Sequence, residues 1–336
     1  MISLNILDYS IVDEGSSPKQ ALKETAELAI LADELGYKRF WVPEQHYAYS
    51  IASSNPEMLM MYLAGVTKRI RIGSGGVMIP HYSPYKVAEN FRMLEALHPG
   101  RIDLGIGNSP GGRLTNRALN EEKGERLSYE QEVQDIIKYL TDDHETPHRF
   151  QKLSATPVID TVPNVWMLGA GGRSTKMAAV NGISYIYAHF FRPSSVGVES
   201  IKEYRDYFQP SVFQQKPNAG VAVFVNIAET EEEAKELERA FELWMVWIET
   251  AKNPLHFPSI ESAKNYHFTS FEAKKVEEIK KRSITGNPEQ VKEGILKLAD
   301  HYDADEVVVV PNIPGIENRK RGIRLLADAF HLKGNR

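Results

Sequence analysis

The stretch 70–112, IRIGSGGVMIPHYSPYKVAENFRMLEALHPGRIDLGIGNSPGG, decides the fold. It holds two short β-rich runs, 70–78 and 101–106, and each ends in a glycine-containing loop. Between them the spacing predicts one amphipathic helix. Ser83 is placed to cap it, Pro84 suits its first turn, Val87, Phe91 and Leu94 form its buried stripe, and Pro99-Gly100 stops it. Such a β-α-β unit puts glycines where strands run out, which is where parallel α/β proteins bind ligands.

Strand and helix signals alternate on both sides of this segment. Strands are expected near residues 4, 40, 73, 103, 166, 186, 224 and 308. Eight such strands predict an α/β fold, a (β/α)8 TIM barrel. A doubly wound sheet would announce itself with G-x-G-x-x-G after the first strand, and that motif is absent there. The spacing breaks once, after the seventh strand, where about residues 229–285 read as an insertion. Leu237, Phe241, Trp244 and Ile248 mark one face of a helix within it. Trp244 and Trp247 suit a lid, a subunit contact or plain core. A small strand is expected at 149–153, and Asn287-Pro288 with Gln290 reads as a capping box. Residues 1–336 form one domain on this reading.

Composition narrows the function. Hydrophobic residues make up 42% of the 336, and the net charge of −5 is spread without a long block of either sign. The basic stripe that nucleic-acid binding needs is absent. With no cysteine, disulfides, thiolate catalysis and cysteine-ligated zinc are excluded. MISLNILDYS reads as a first strand rather than a signal peptide, and no stretch has the roughly 20 apolar residues of a membrane span. The expectation is a cytoplasmic protein acting on a small molecule, with no membrane or nucleic-acid partner.

A barrel builds its site at the carboxyl ends of its strands. That rule selects Glu44, Gln45 and His46 after strand two, Gly75, Gly76 and His81 after strand three, and Asn108 after strand four. Strand five contributes Gly169, Ala170, Gly171, Gly172, Arg173 and Ser174, and strand six His189. The run 169–174 follows a strand and opens a helix, so its N–H groups suit a phosphate; a tight turn relieved by glycines is the other reading. Tyr185, Tyr187, Phe190 and Phe191 fit either a pocket wall or buried strand positions. His46, His81 and His189 come from different strands, and no metal site is expected.

Gly75-Gly76 before VMIP, the following SPYKVAENF helix, and PGRIDLGIG with its Pro110-Gly111-Gly112 tail resemble, in this order, the luciferase-like flavin monooxygenases, the superfamily of bacterial luciferase. The resemblance extends from the first strand through GNPEQVKEGILKLADHYDADEVVVVP to the final LLADAF helix. It implies reduced, exchangeable flavin mononucleotide (FMN), dioxygen, a small organic substrate, a separate flavin reductase, and a homodimer formed through helices near strands two and three. The superfamily also contains hydride-transfer oxidoreductases that use the deazaflavin F420, which stands as the alternative cofactor.

The resemblance also assigns roles. The loop Gly169–Ser174 would hold the phosphate, mostly by backbone, because Ala170 and Gly171 stand where relatives often carry serines. Gly75-Gly76 would carry a non-proline cis peptide against the flavin ring; a β-bulge is the plainer reading. Many relatives have Glu-His-His where this chain has Glu44-Gln45-His46, and their middle histidine is assigned acid–base work. An amide cannot exchange a proton near neutral pH. His46 then either orients flavin or substrate, or is held by Glu44 to fasten strand two. Asn108 replaces an arginine that pairs with the phosphate, leaving that charge to Arg126 and Arg173, and His189 completes the cofactor-binding set. Gln45 and Asn108 together leave open a non-catalytic flavin-binding barrel.

Overall fold

In the computed structural model, which describes residues 2–121 and 123–334, the chain closes a parallel barrel around one inner row of side chains. The barrel strands are β1 (Ser3–Leu7), β2 (Arg39–Val42), β3 (Arg71–Ser74), β5 (Ile102–Gly107), β6 (Asn164–Gly169), β7 (Ser184–Ala188), β8 (Ala219–Ile227) and β10 (Glu306–Val310). They pair in that order, and β10 returns to pair with both β1 and β8. This is the eight-stranded barrel expected. The two-residue strand β4 (Val77–Met78) lies beside the end of β5.

Strand alternation separates two cores. Leu7, Trp41, Trp166, Ala222, Phe224, Val308 and Val310 share the cluster inside the barrel, where the Trp41 and Trp166 rings meet edge-on at 5.4 Å. Their neighbours Ile6, Phe40, Ile72, Leu104, Met167, Val223 and Val309 face the helices. Tyr185 and Tyr187 belong to this outer set, so they are helix-facing core.

The helices α1 (Pro18–Leu35), α2 (Pro56–Val66), α3 (Pro84–Leu97), α5 (Tyr129–Thr141), α6 (Arg173–Val180), α7 (Ser195–Tyr207), α11 (Pro288–Tyr302) and α12 (Ile316–Ala329) accompany the strands, with a short α4 (Arg113–Leu119) after β5. Val87, Phe91 and Leu94 of α3 are buried as its pattern predicts, but Ser83 makes no side-chain cap bond. The Asn287/Gln290 capping box of α11 forms in full. Residues 149–153 are turns rather than a strand. The local cause is lateral: His148 and Arg149 both pair with Asp135 of α5, and Lys138 takes the Gln151 carbonyl.

The insertion after β8 contains α8 (Glu231–Glu249), α9 (Ile260–Asn265), α10 (Ser270–Lys280) and β9 (Ser283–Gly286). Strand β9 pairs with the last residues of β8, starting at Phe224, where the pairing with β10 ends. The apolar face of α8 closes over the inner barrel cluster, Phe241 meeting Phe224 at 4.7 Å. Trp244 is core: it packs on Phe257, and its indole N–H donates to Ser50 Oγ at 3.0 Å.

The opposite, amino-terminal end of the barrel is plugged by charge. Arg39 donates to Asp103 at 2.7 Å and to Glu306 at 3.0 Å, Arg71 donates to Asp103 at 2.7 Å, and Lys38 pairs with Glu306. Burial pushes the Glu306 carboxyl up, but Arg39 and Lys38 outweigh it and hold it at about 2.

Candidate active site

At the carboxyl end of the barrel lies a cavity of about 490 Å3, within the range of small-molecule sites. Glu44, Gln45, His46, Gly75, Gly76, Asn108, Gly169 and Ala170 all line it, so residues far apart in sequence meet at one place. Tyr9, Met78, Leu168, Phe190 and Phe191 supply its apolar wall. Of these five, Tyr9, Met78 and Leu168 escape a strand-end reading because they look like ordinary barrel or turn residues.

Glu44 organises the polar side. It is 4% exposed and accepts three hydrogen bonds: from the Met78 N–H at 2.7 Å, the Tyr82 hydroxyl at 2.5 Å and His46 Nε2 at 2.7 Å. Because a carboxylate only accepts, the proton of neutral His46 sits on Nε2 and Nδ1 keeps its lone pair. Gln45 lines the cavity and donates its backbone N–H to the Ser53 carbonyl at 2.9 Å. Tyr82 is a residue that strand-end reasoning misses, since its partner lies 38 positions back. Burial, and then its bond to Glu44, raises the Tyr82 phenol well above its usual range.

The floor of the cavity is the Gly75–Gly76 peptide, which is cis. It separates β3 from β4, and the Gly75 N–H donates to the Val42 carbonyl at 2.8 Å. A Cβ on Gly76 would stand 2.6 Å from the Gly105 carbonyl oxygen, so backbone approaches backbone here and only glycine fits.

The loop before α6 is tightly made. A Cβ on Gly169 would collide with Ser174, and Gly171 and Gly172 have φ of 101° and 66°. Helix α6 begins with no side-chain cap. Ser174 Oγ donates to the Gly171 carbonyl, and the Gly171 N–H donates to the Tyr185 hydroxyl. Two of the groups that could meet a phosphate are therefore engaged within the protein.

The arginines do not converge on the cavity. Arg126 forms a two-pronged pair with Glu132, at 2.8 and 2.9 Å, and lines a separate cavity of about 780 Å3 between α3, α4 and α5. Arg173, largely exposed, pairs with Glu130 at 3.2 Å. Both acids lie in the first turn of α5. The His189 ring also points away from the cavity. Its Nε2 donates to the Lys281 carbonyl at 3.1 Å and its Nδ1 accepts from the Tyr302 hydroxyl at 2.8 Å, so it ties the end of β7 to the insertion and to α11. Burial lowers its pKa.

One further sequence feature lies outside the strand ends. Residues 144–148, HETPH, carry the letters H-E-x-x-H, a zinc signature when it lies on a helix. Here the segment is an irregular loop with a bend at its centre. The His144 ring faces the Gln151 carbonyl and Ser154, and the His148 ring is held by Asp135 and the Phe150 N–H. Among the described residues no group of three or more metal-ligating side chains converges, and no helix is long and apolar enough to cross a membrane.

A closed barrel with its glycine-built, histidine-bearing cavity at the carboxyl end defines an α/β-barrel enzyme class. The luciferase-like monooxygenase family profile matches residues 6–304, and the chain belongs to that family. It is 44% identical to the uncharacterized YwcH of Bacillus subtilis, over 98% of this chain and 99% of that protein. It is 35% identical to an N-acetyl-S-alkylcysteine monooxygenase of the same organism, over 98% of each chain. Among solved structures, apo-MsnO8 superposes with a TM-score of 0.90 at 34% identity over 99% of each chain. Two more distant structures share the fold. One is the oxygenating constituent of a Pseudomonas putida 3,6-diketocamphane monooxygenase with FMN (TM-score 0.71, 17% identity, 98% of this chain and 97% of that one). The other is an F420-dependent secondary alcohol dehydrogenase (TM-score 0.68, 14% identity, 99% of each).

Proposed function

We propose that this enzyme binds reduced FMN at the barrel mouth and, with dioxygen, oxygenates a small organic substrate, the flavin arriving from a separate reductase. The observation that carries the reading is the Glu44–His46 pair beside the Gly75–Gly76 peptide, which packs directly on the Gly105 backbone, on one 490 Å3 cavity. A purely flavin-storing barrel has no need of a histidine whose tautomer is set by a buried carboxylate. When bound, reduced FMN supplies the electrons that activate dioxygen. The chain's own work is to seat the ring on Gly75–Gly76, hold the phosphate against Gly169–Ser174, exclude water with Phe190, Phe191 and Met78, and accept or return a proton at His46 Nδ1. Gln45 then orients by hydrogen bonding, and proton exchange falls to His46.

FMN suits the site better than F420, because the longer acidic tail of F420 needs free cationic groups along the mouth. Arg126 and Arg173 are each held by a glutamate. The same pairing argues for weak, exchangeable FMN. S-alkylated amino-acid conjugates are the substrates to try first, given the 35% identical relative named for them and the apolar wall around the ring. Exposed Met58, Tyr62 and Val66 on α2, with Met93 and Leu97 on α3, offer the apolar face for a homodimer.

The test is an anaerobic titration with reduced FMN, followed by mixing with oxygen and a panel of thioether conjugates. Saturable binding and oxygenated product are expected. His46→Gln is expected to lower turnover by about 100-fold or more while retaining flavin binding. Failure to bind millimolar reduced FMN, with saturable binding of reduced F420, would overturn the assignment.

A further inference from the structure

Glu44 stands between the two cavities. His46 lines the smaller one, Tyr82 lines the larger one, and both bond to the same carboxylate oxygen. Oε1 lies 2.7 Å from His46 Nε2 and 2.5 Å from the Tyr82 hydroxyl, while Oε2 takes the Met78 N–H. The turn Ile79–His81 fixes this geometry, since the Met78 N–H binds Glu44 at its start and the Tyr82 N–H returns to the Ile79 carbonyl at its end.

The charges around the trio are few. Helix α2 contributes Glu57, whose carboxyl is pushed up by burial and then by nearby Glu44, and α3 contributes Asn90 as a partner of Glu57. The turn contributes His81, which burial keeps toward its neutral form and whose Nδ1 faces the Asn120 amide. Among the described residues no lysine or arginine pairs with Glu44, so its negative charge is held by hydrogen bonds alone. Two donors on one oxygen compete. The Tyr82 O–H draws density from Oε1 and leaves it a weaker acceptor for His46.

Resting on the reading of His46 as the base, we propose that Tyr82 is a positioning residue for it. The Tyr82 hydroxyl keeps the Glu44 carboxylate aimed at Nε2 and limits the charge that His46 feels, so the imidazole exchanges its proton with the cavity rather than being locked as an imidazolium. Removing the hydroxyl concentrates Glu44 on His46 and stabilises the protonated ring.

The test reads the histidine directly, by nitrogen-edited NMR of the full flavin-free protein, with His46→Gln identifying the signal. His46 is expected as the Nε2–H tautomer. Tyr82→Phe should move its Hε2 resonance downfield and displace its titration upward by about half to one pH unit. The acid limb of the kcat profile should follow, while KM stays within about twofold. In a Glu44→Gln background the Tyr82→Phe displacement should vanish. An unchanged His46 signal in folded Tyr82→Phe protein, or an equal displacement without Glu44, would overturn the proposal. Because the resonance is read without flavin, absence of turnover would strike the oxygenase reading alone.

Discussion

The two ends of this barrel bury carboxylates under opposite conditions. At the amino end, Asp103 and Glu306 are met by Arg39, Arg71 and Lys38, so the charges are matched by cations. At the carboxyl end, Glu44 is 4% exposed and is met by a histidine, a phenol and one backbone N–H. A saturated ion network has one arrangement and resists change. A carboxylate held by exchangeable donors can share a proton, and it stands where the cavity opens. The difference separates a plug from a site.

The largest expected effect breaks the plug. Arg39→Ala removes the cation that joins the two buried carboxylates, leaving Asp103 to Arg71 and Glu306 to Lys38, and should cost about 3–5 kcal/mol in urea denaturation, whereas Glu44→Gln should cost about 1–3 kcal/mol. Equal losses would erase the distinction. Acid should act on the same end. Since Glu306 is lowered from 4.5 to about 2, its contribution is complete above about pH 4.5 and is lost as pH falls toward 2.

A second test sharpens the comparison at the insertion. Glu242 on α8 is pushed up to about 7, by burial first and by Glu238 next, with Lys280 at 3.9 Å only partly offsetting this. Its raised value reverses the sign: the fold favours the protonated acid, so stability falls as pH rises from about 4.5 through 7. Glu242→Gln should therefore stabilise the protein by roughly 1–3 kcal/mol at pH 8 and by little at pH 4, measured by thermal unfolding at both.

The smallest effect concerns the cavity beside the mouth, where Arg126 and Glu132 lie. Glu132→Gln frees a partly exposed Arg126 and should tighten reduced FMN by about three- to tenfold, whereas Arg126→Ala, which removes a guanidinium already held by Glu132, should change it less than about twofold. Calorimetric titration of both variants gives the answer. No tightening on Glu132→Gln would leave Arg126 without a part in holding the cofactor.

Much of the fold was legible because it is periodic. The stripe of Val87, Phe91 and Leu94 and the VVVV of β10 each announce their element locally. The turn at 149–153 was not, because lateral bonds to Asp135 decide it. The site was half legible. Strand ends located Glu44, His46, Gly75 and Gly76 at one cavity, but His189 stands at a strand end and turns its ring toward Tyr302 and Lys281. Position along a strand tells where a Cα lies, not which way a side chain leaves the following loop.

By itself the sequence determined eight strands, their alternation and the glycines that let β3 approach β5, because these depend on residue type and short spacing. Tertiary structure alone decided that Tyr82 shares Glu44 with His46, that Arg39 joins Asp103 to Glu306, and that Asn5 reaches Glu306 across 301 positions. Barrel closure brings such partners to hydrogen-bond distance, and no local pattern encodes that register.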